Sequence, residues 1–205
     1  MTDYATLAGL GVATIHEAAG RTGIVDVPLT QVVPGSRVAG PARIALCAPG
    51  DNTMVHATVA HASPGDVLVL TSAEPTPVAL VGELLATQAQ VQGVAGILVD
   101  GAVRDLDELV AIGLPIWTRF VRAHGATKGV VGKLDVPVVI GGAEIGPGDL
   151  VVMDCDGAMA LPSERVDEVL PLALARAEHE RAMRERYASG ELSYDLQGLR
   201  EIVDG

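Results

Sequence analysis

Four charged residues crowd into the end of the segment "GILVDGAVRDLDEL" (96–109), after its apolar run: Arg104, Asp105, Asp107 and Glu108. A fifth, Glu83, precedes Arg104 with twenty residues (84–103) between them. That separation suits a crossover returning the chain to a neighbouring strand, which would set two loops side by side and let Glu83, Arg104 and Asp105 share a pocket. The trio fits enolate chemistry. A hard divalent cation such as Mg2+ takes oxygen ligands and keeps several waters, so one direct carboxylate suffices. Arg104 offers a planar fork for a carboxylate. Backbone N–H groups at a helix start near Gly82-Glu83-Leu84-Leu85 would hold the same anion from the other side. A 2-oxo acid bound there would have its enolate stabilised as a C–C bond breaks.

A local explanation competes. Asp105 as N-cap and Glu108 at N3 make an acidic variant of the capping box that opens the helix "LDELVAIG". It leaves Arg104 and Glu83 without a role. A second competitor is Thr76-Pro77, which can start the preceding helix earlier and leave the Leu84 and Leu85 amides inside it. Both remain open on these residues alone.

Other catalytic templates fail. The chain has no P-loop and no GxSxG elbow, and the GxG in "GLGVATIHEAAG" follows no strand, which argues against a dinucleotide site. The histidines (16, 56, 61, 124 and 179) do not pair at metal-ligand spacing. His56 and His61 are expected to point to different helix faces and to be structural. "DCDG" (154–157) reads as a turn with side-chain-to-backbone bonds rather than a metal site. Cys47 and Cys155 are both expected to be buried, inert thiols.

The elements that must position the site alternate through the middle of the chain. Residues 4–20 read as a helix closed by Gly20, 36–48 as a strand, 52–61 as a helix and 67–71 as an apolar strand after a Pro-Gly-Asp turn. A helix lies within 77–92, closed by Gly93. A buried strand follows at 95–101, a short helix at 105–113 and a strand at 115–121. Several strands and turns fill 129–162. A long helix then runs from Ser163, with acids early and arginines late, as the helix dipole favours. Helix–strand alternation followed by consecutive strands predicts an α/β mixed sheet or sandwich with helices outside. With no linker in the sequence, residues 1–205 are expected to form one domain.

Composition agrees. The residues are 49% hydrophobic but only 2% aromatic, which is the palette of aliphatic strands buried on both faces. A net charge of -12 and so few rings argue against a nucleic-acid partner, while leaving a basic protein partner open. No apolar run is long enough to span a bilayer and the N-terminus lacks a signal-peptide pattern, so a cytoplasmic location and no membrane partner are expected.

The central stretch "GELLATQAQVQGVAGILVDGAVRDLDEL" resembles the class II, metal-dependent 4-hydroxy-4-methyl-2-oxoglutarate/4-carboxy-4-hydroxy-2-oxoadipate aldolases. Their superfamily also contains the regulator of ribonuclease E activity. "ATIHEAAGRTG" and "GGAEIGPGDLVVMDCDGAMALP" extend the resemblance over most of the chain. It implies a lyase that cleaves a 4-hydroxy-2-oxo acid to pyruvate plus a second oxo acid, with oxaloacetate decarboxylation as a companion activity. It implies Mg2+ or Mn2+ bound directly by Asp105. Glu83, where many relatives have Asp, would hold a metal-bound water. Arg104 would bind the keto and carboxylate oxygens, and the amides of Leu84 and Leu85, after Gly82, the pyruvyl carboxylate. An acid from a neighbouring subunit's C-terminal helix would reach the metal's water shell; Glu180 matches best, with Glu178 and Glu191 as rivals. The implied fold is an α-β-β-α sandwich, assembled as a homotrimer or hexamer. The alternative within the superfamily is a non-catalytic protein that binds and regulates a ribonuclease. The best-known members of that branch lack the Asp after the Arg, and this chain keeps Asp105.

Overall fold

The apolar runs predict strands buried on both faces, and the computed structural model, which describes residues 2–205, contains them. In chain order the first elements are α1 (Tyr4–Ala18), β1 (Thr30–Gln31), β2 (Val38–Cys47), α2 (Thr53–Ala60), β3 (Val67–Ser72) and β4 (Ala79–Val81). Next come α3 (Glu83–Val91), β5 (Gly96–Val103), α4 (Leu106–Ile112), β6 (Ile116–Val121) and β7 (Lys133–Leu134). The chain continues through β8 (Val138–Ile140), β9 (Ala143–Ile145), β10 (Leu150–Asp154) and β11 (Gly157–Leu161). It ends with α5 (Val166–Ala188), α6 (Ser193–Leu196) and α7 (Leu199–Val203).

Every residue of β3 and of β5 is buried. These two strands pair in parallel, and β2 and β6 flank them, also in parallel. Strand β2 links two layers. Its second half, Ala42–Cys47, pairs with β3, while Val38–Pro41 pairs antiparallel with β10, which in turn carries β11. One mixed sheet in the order β1-β6-β5-β3-β2-β10-β11 therefore folds over itself, and β8-β9 is a separate hairpin.

Three apolar clusters fill the gaps. Leu68, Leu70, Ile97 and Val99 face Val55, Val59, Ala86, Ala89 and Leu109 of α2, α3 and α4. Ile44, Val69, Leu98 and Trp117 meet Val151, Met153 and Ile145 between the two sheet layers. Leu150, Val152 and Met159 receive Leu7, Ile15, Val169 and Ala173 of α1 and α5. This is the α-β-β-α sandwich with a long C-terminal helix, although its two inner layers belong to one continuous sheet. No helix among the described residues is long and apolar enough to cross a membrane.

Several local expectations need correction. The helix expected within 77–92 is divided: Ala79, Leu80 and Val81 are buried as strand β4 against β5, and α3 starts only at Glu83. Tertiary pairing wins over the Thr76-Pro77 start signal, because an apolar tripeptide buried on both faces gains more at the strand edge than in a helix end. Cys47 is buried, and burial reinforced by the charge of Asp51 pushes its thiol pKa up to about 12. Cys155 is exposed, because the turn after β10 carries it outward. That turn is the side-chain-bonded kind expected: the Asp156 N–H donates to Asp154 Oδ1 at 2.9 Å.

Candidate functional site

Parallel pairing of β4 with β5 aligns Val81 with Val103, so the chain leaves both strands at the same end. The residues that follow, Gly82 and Arg104, are therefore neighbours, and the Arg104 N–H donates to the Val81 carbonyl at 3.1 Å. Carboxyl ends of adjacent parallel strands are where α/β sheets gather ligand-binding loops. Here they bring together segments twenty residues apart.

Two glycines make room for the guanidinium. A Cβ on Gly82 would fall on Asp105 Oδ2 and within 3.1 Å of Arg104 Nε, and one on Gly125 would lie 2.5 Å from Arg104 Nη1. Asp105 occupies the N-cap position of α4 in the left-handed region (φ 61, ψ 48) and makes no side-chain cap there. The capping-box expectation for Asp105 and Glu108 is thus wrong in its main contact. Asp105 instead reaches back across the site, where Oδ2 accepts the Glu83 N–H at 3.1 Å and lies 3.6 Å from Arg104 Nε. The left-handed backbone that Asp tolerates better than most residues is what turns the carboxylate that way.

Helix α3 has Gly82 as its N-cap, and its first ladder bond runs from Ala86 N–H to the Gly82 carbonyl at 3.1 Å. The amides of Glu83, Leu84 and Leu85 precede that bond, so they are orphan donors at the positive end of the helix dipole. Glu83 N–H goes to Asp105; those of Leu84 and Leu85 remain beside Arg104. A cavity of about 270 Å3 opens onto this group, with Gly82, Leu84, Leu85, Arg104 and Asp105 in its wall. A second cavity, of about 320 Å3, lies on the other side of Arg104 and Asp105, against Val121, Arg122 and Ala123.

Among the described residues no carboxylate other than Asp105 lines the first cavity. The donor set still suits a hard cation. Asp105 Oδ1 is free of protein partners among the described residues, and open space beside it admits waters or substrate oxygens, the arrangement that Mg2+ favours. The described residues with three clustered ligating groups, Asp154, Cys155 and Asp156, lie elsewhere.

The remaining sequence candidates are distributed as follows. Glu83 sits at the first turn of α3, but its Oε1 accepts the Thr87 hydroxyl at 3.1 Å, and its side chain is not in the cavity wall. Glu180 lies on α5, which packs in the opposite outer layer, and pairs with Arg176 at 2.9 Å. Its rivals are also paired, Glu178 with Arg181 and Glu191 with Arg186. Within one chain, none of these three C-terminal acids reaches Asp105.

The same cavity has a polar wall that sequence reasoning missed: Asn52, His56, Gln88 and Lys128. Asn52 is the N-cap of α2, yet its side chain makes no cap bond. Its Nδ2 donates to the Leu80 carbonyl at 3.0 Å instead. His56 was expected to be structural. Burial first, and the Lys128 charge second, hold its pKa below the usual histidine value. The missed signal was spacing: Asn52 and His56, four apart, share a helix face that comparison of His56 with His61 alone does not show.

A family model described as RraA-like, Aldolase/RraA, matches residues 12–160. A Halalkalibacterium halodurans protein provisionally named a 4-hydroxy-4-methyl-2-oxoglutarate aldolase is 37% identical over 167 residues, 82% of this chain and 79% of that one. A Burkholderia multivorans protein with the same provisional name is 34% identical over 75% of this chain and 95% of its own. The solved structure of Streptomyces coelicolor RraAS2, described as an unusual member of the RNase ES inhibitor RraA protein family, superposes with a TM-score of 0.75 at 28% identity, covering 92% of this chain and 96% of that chain. The matched region holds both strand ends, both glycine slots and the Arg104-Asp105 pair, and by that match the chain belongs to the Aldolase/RraA family.

Proposed function

We propose that this protein is a divalent-metal-dependent aldolase. It cleaves a 4-hydroxy-2-oxo acid such as 4-hydroxy-4-methyl-2-oxoglutarate to pyruvate and a second oxo acid, and decarboxylates oxaloacetate through the same enolate. The observation that carries this reading is the convergence of Arg104, Asp105 and the free amides of Leu84 and Leu85 on one cavity. Homologues provisionally named for this aldolase support it.

Asp105 would hold Mg2+ or Mn2+ directly, with Glu83 and Glu180 of the partner subunit acting through the ion's water shell. The bound cation would supply a Lewis acid that withdraws charge from the substrate's keto oxygen. The Leu84 and Leu85 amides bind the substrate carboxylate, as a helix N-terminus binds anions. Arg104, confined between Gly82 and Gly125, donates to the keto and carboxylate oxygens from one rigid plane. Negative charge that moves onto the keto oxygen as the C3–C4 bond breaks therefore meets preorganised donors. A homotrimer, or a pair of trimers, would complete each site with the neighbouring C-terminal helix. The cytoplasm is its proposed location.

A second reading, a non-catalytic inhibitor that contacts basic regions of a ribonuclease, is favoured by the likeness to RraAS2 and by the net charge of -12. One assay separates the two. With Mg2+, the protein is expected to release pyruvate from 4-hydroxy-4-methyl-2-oxoglutarate, and a chelator is expected to abolish release until Mg2+ is restored. Absence of release favours the inhibitor, and release indifferent to the chelator overturns the metal dependence of the aldolase reading.

A further inference from the structure

Residues 122–132 join β6 to β7 without a helix or strand of their own, yet Ala126 and Lys128 in this segment form part of the cavity wall. Gly125 of the same segment lies against the Arg104 guanidinium, so close that a Cβ there would sit 2.5 Å from Nη1. The nearest carboxylate oxygen, Asp105 Oδ2, is 3.6 Å from Arg104 Nε, and among the described residues the guanidinium has no hydrogen-bond partner. Its plane is therefore set by packing against Gly82 and Gly125. A glycine-containing loop holds such a plane only if it is itself tied down.

The ties converge on Asp51, which precedes α2 and is only 1% exposed. Its Oδ1 accepts the Thr53 N–H, at the start of α2, at 2.8 Å. Its Oδ2 turns the other way, accepting the Val130 N–H at 3.3 Å and the Thr127 hydroxyl at 3.1 Å. The Gly50 carbonyl, 3.2 Å from that hydroxyl, shares its single proton, but an ionised carboxylate is the stronger acceptor. The Thr53 N–H most of all, and the loop donors after it, hold the Asp51 pKa below the usual carboxylate value. Serving α2 explains Oδ1 alone. A buried carboxylate is destabilising unless both oxygens are paired, and Oδ2 finds its donors only in the loop, 76 and 79 residues further along the chain.

We propose that Asp51 is a positioning residue: through Thr127 and Val130 it latches the 122–132 segment, and through Gly125 it sets the plane in which Arg104 meets the substrate. Asp51 itself is not in the cavity wall. The inference rests on the aldolase reading and deepens it, by placing a determinant of the reaction on a residue that touches neither substrate nor metal.

Asp51→Asn, Thr127→Val and Thr127→Ser are assayed with Mg2+ on 4-hydroxy-4-methyl-2-oxoglutarate and on oxaloacetate, with thermal melts and hydrogen exchange of the 122–132 peptide. Asparagine keeps an oxygen for the Thr53 N–H but puts an NH2 group where the loop needs an acceptor. Valine keeps the branched shape of threonine without the hydroxyl, and serine restores it. Asp51→Asn is expected to lower kcat by about tenfold on both substrates with a smaller change in KM, because a misaimed Arg104 loses contacts made to charge that develops in the transition state. Thr127→Val is expected to lower kcat by about threefold, the effect of one lost hydrogen bond, and Thr127→Ser to return it close to wild type. Exchange should quicken in 122–132 alone. If Asp51→Asn fails to fold, the valine and serine variants at exposed Thr127 carry the test. Quickened loop exchange with unchanged kcat overturns the latch, and so does a loss of activity that only tracks the unfolded fraction or that serine does not rescue. A wild-type protein inactive on both substrates overturns the aldolase reading and the latch together.

Discussion

Asp105→Asn is expected to keep the fold and lose metal-dependent turnover by about a thousandfold or more. The substitution is nearly isosteric. Asparagine retains an oxygen to accept the Glu83 N–H and tolerates the left-handed backbone at φ 61. What disappears is the anionic oxygen for a hard cation and the negative charge 3.6 Å from the Arg104 Nε. A Lewis-acid contribution of several kcal/mol, at about 1.4 kcal/mol for each factor of ten, gives the expected loss. Asp105→Ala differs instructively, since it also removes the bond to the α3 N-terminus, at about 1 kcal/mol, and places alanine in a left-handed conformation at about 1 kcal/mol more. Its melting temperature should fall by a few degrees while that of Asp105→Asn stays close to wild type. Thermal melts and pyruvate release on both variants check this. A fully active Asp105→Asn protein would show that the carboxylate only caps α3.

The largest stability effect is expected at Trp117. This side chain is 1% exposed between the two sheet layers, and its Nε1–H donates to the Asp154 carbonyl at 2.8 Å. Its strand, β6, pairs with β5, which delivers Arg104 to the site. Trp117→Ala removes the largest buried side chain from that core and leaves a buried carbonyl unpaired, at a combined cost of about 4 kcal/mol. For a chain of this size that corresponds to a melting temperature lower by about 10 °C. Trp117→Phe, which loses the hydrogen bond but little volume, should cost about 1 kcal/mol. Equal destabilisation by the two would mean that packing contributes little.

What the sequence made legible was what local pattern controls. The continuous Val/Leu/Ile runs of β3 and β5 announced strands buried on both faces, and the acid-to-arginine gradient of 163–191 announced the long helix. Strand β4 was hidden because a three-residue apolar stretch carries no period of its own; only pairing with β5 decides its state. The same pairing fixes the start of α3 at Glu83 and leaves the Leu84 and Leu85 amides at its mouth.

For the candidate site, residue types and spacing pointed to Arg104, Asp105 and the start of α3, but the local capping rule assigned Asp105 the wrong partner. A cap motif assumes that the side chain serves its own helix. Here positive φ sends it to the helix before. Asn52 and His56 escaped notice for a related reason. Each looks ordinary alone, and the buried Asn52 Oδ1 and His56 Nε2 are left without partners only once α2 is packed beside β4 and Lys128.

The most direct measurement is calorimetric titration of oxalate, a planar mimic of the pyruvate enolate, into wild-type protein and Asp105→Asn, with Mg2+ or with chelator. Cooperation of Arg104, Asp105 and the α3 amides in holding a cation and an oxo-acid anion requires binding by wild type in Mg2+, weakened at least about tenfold by the chelator and by the substitution. Oxalate that binds equally well without the cation, or equally well to Asp105→Asn, would contradict it.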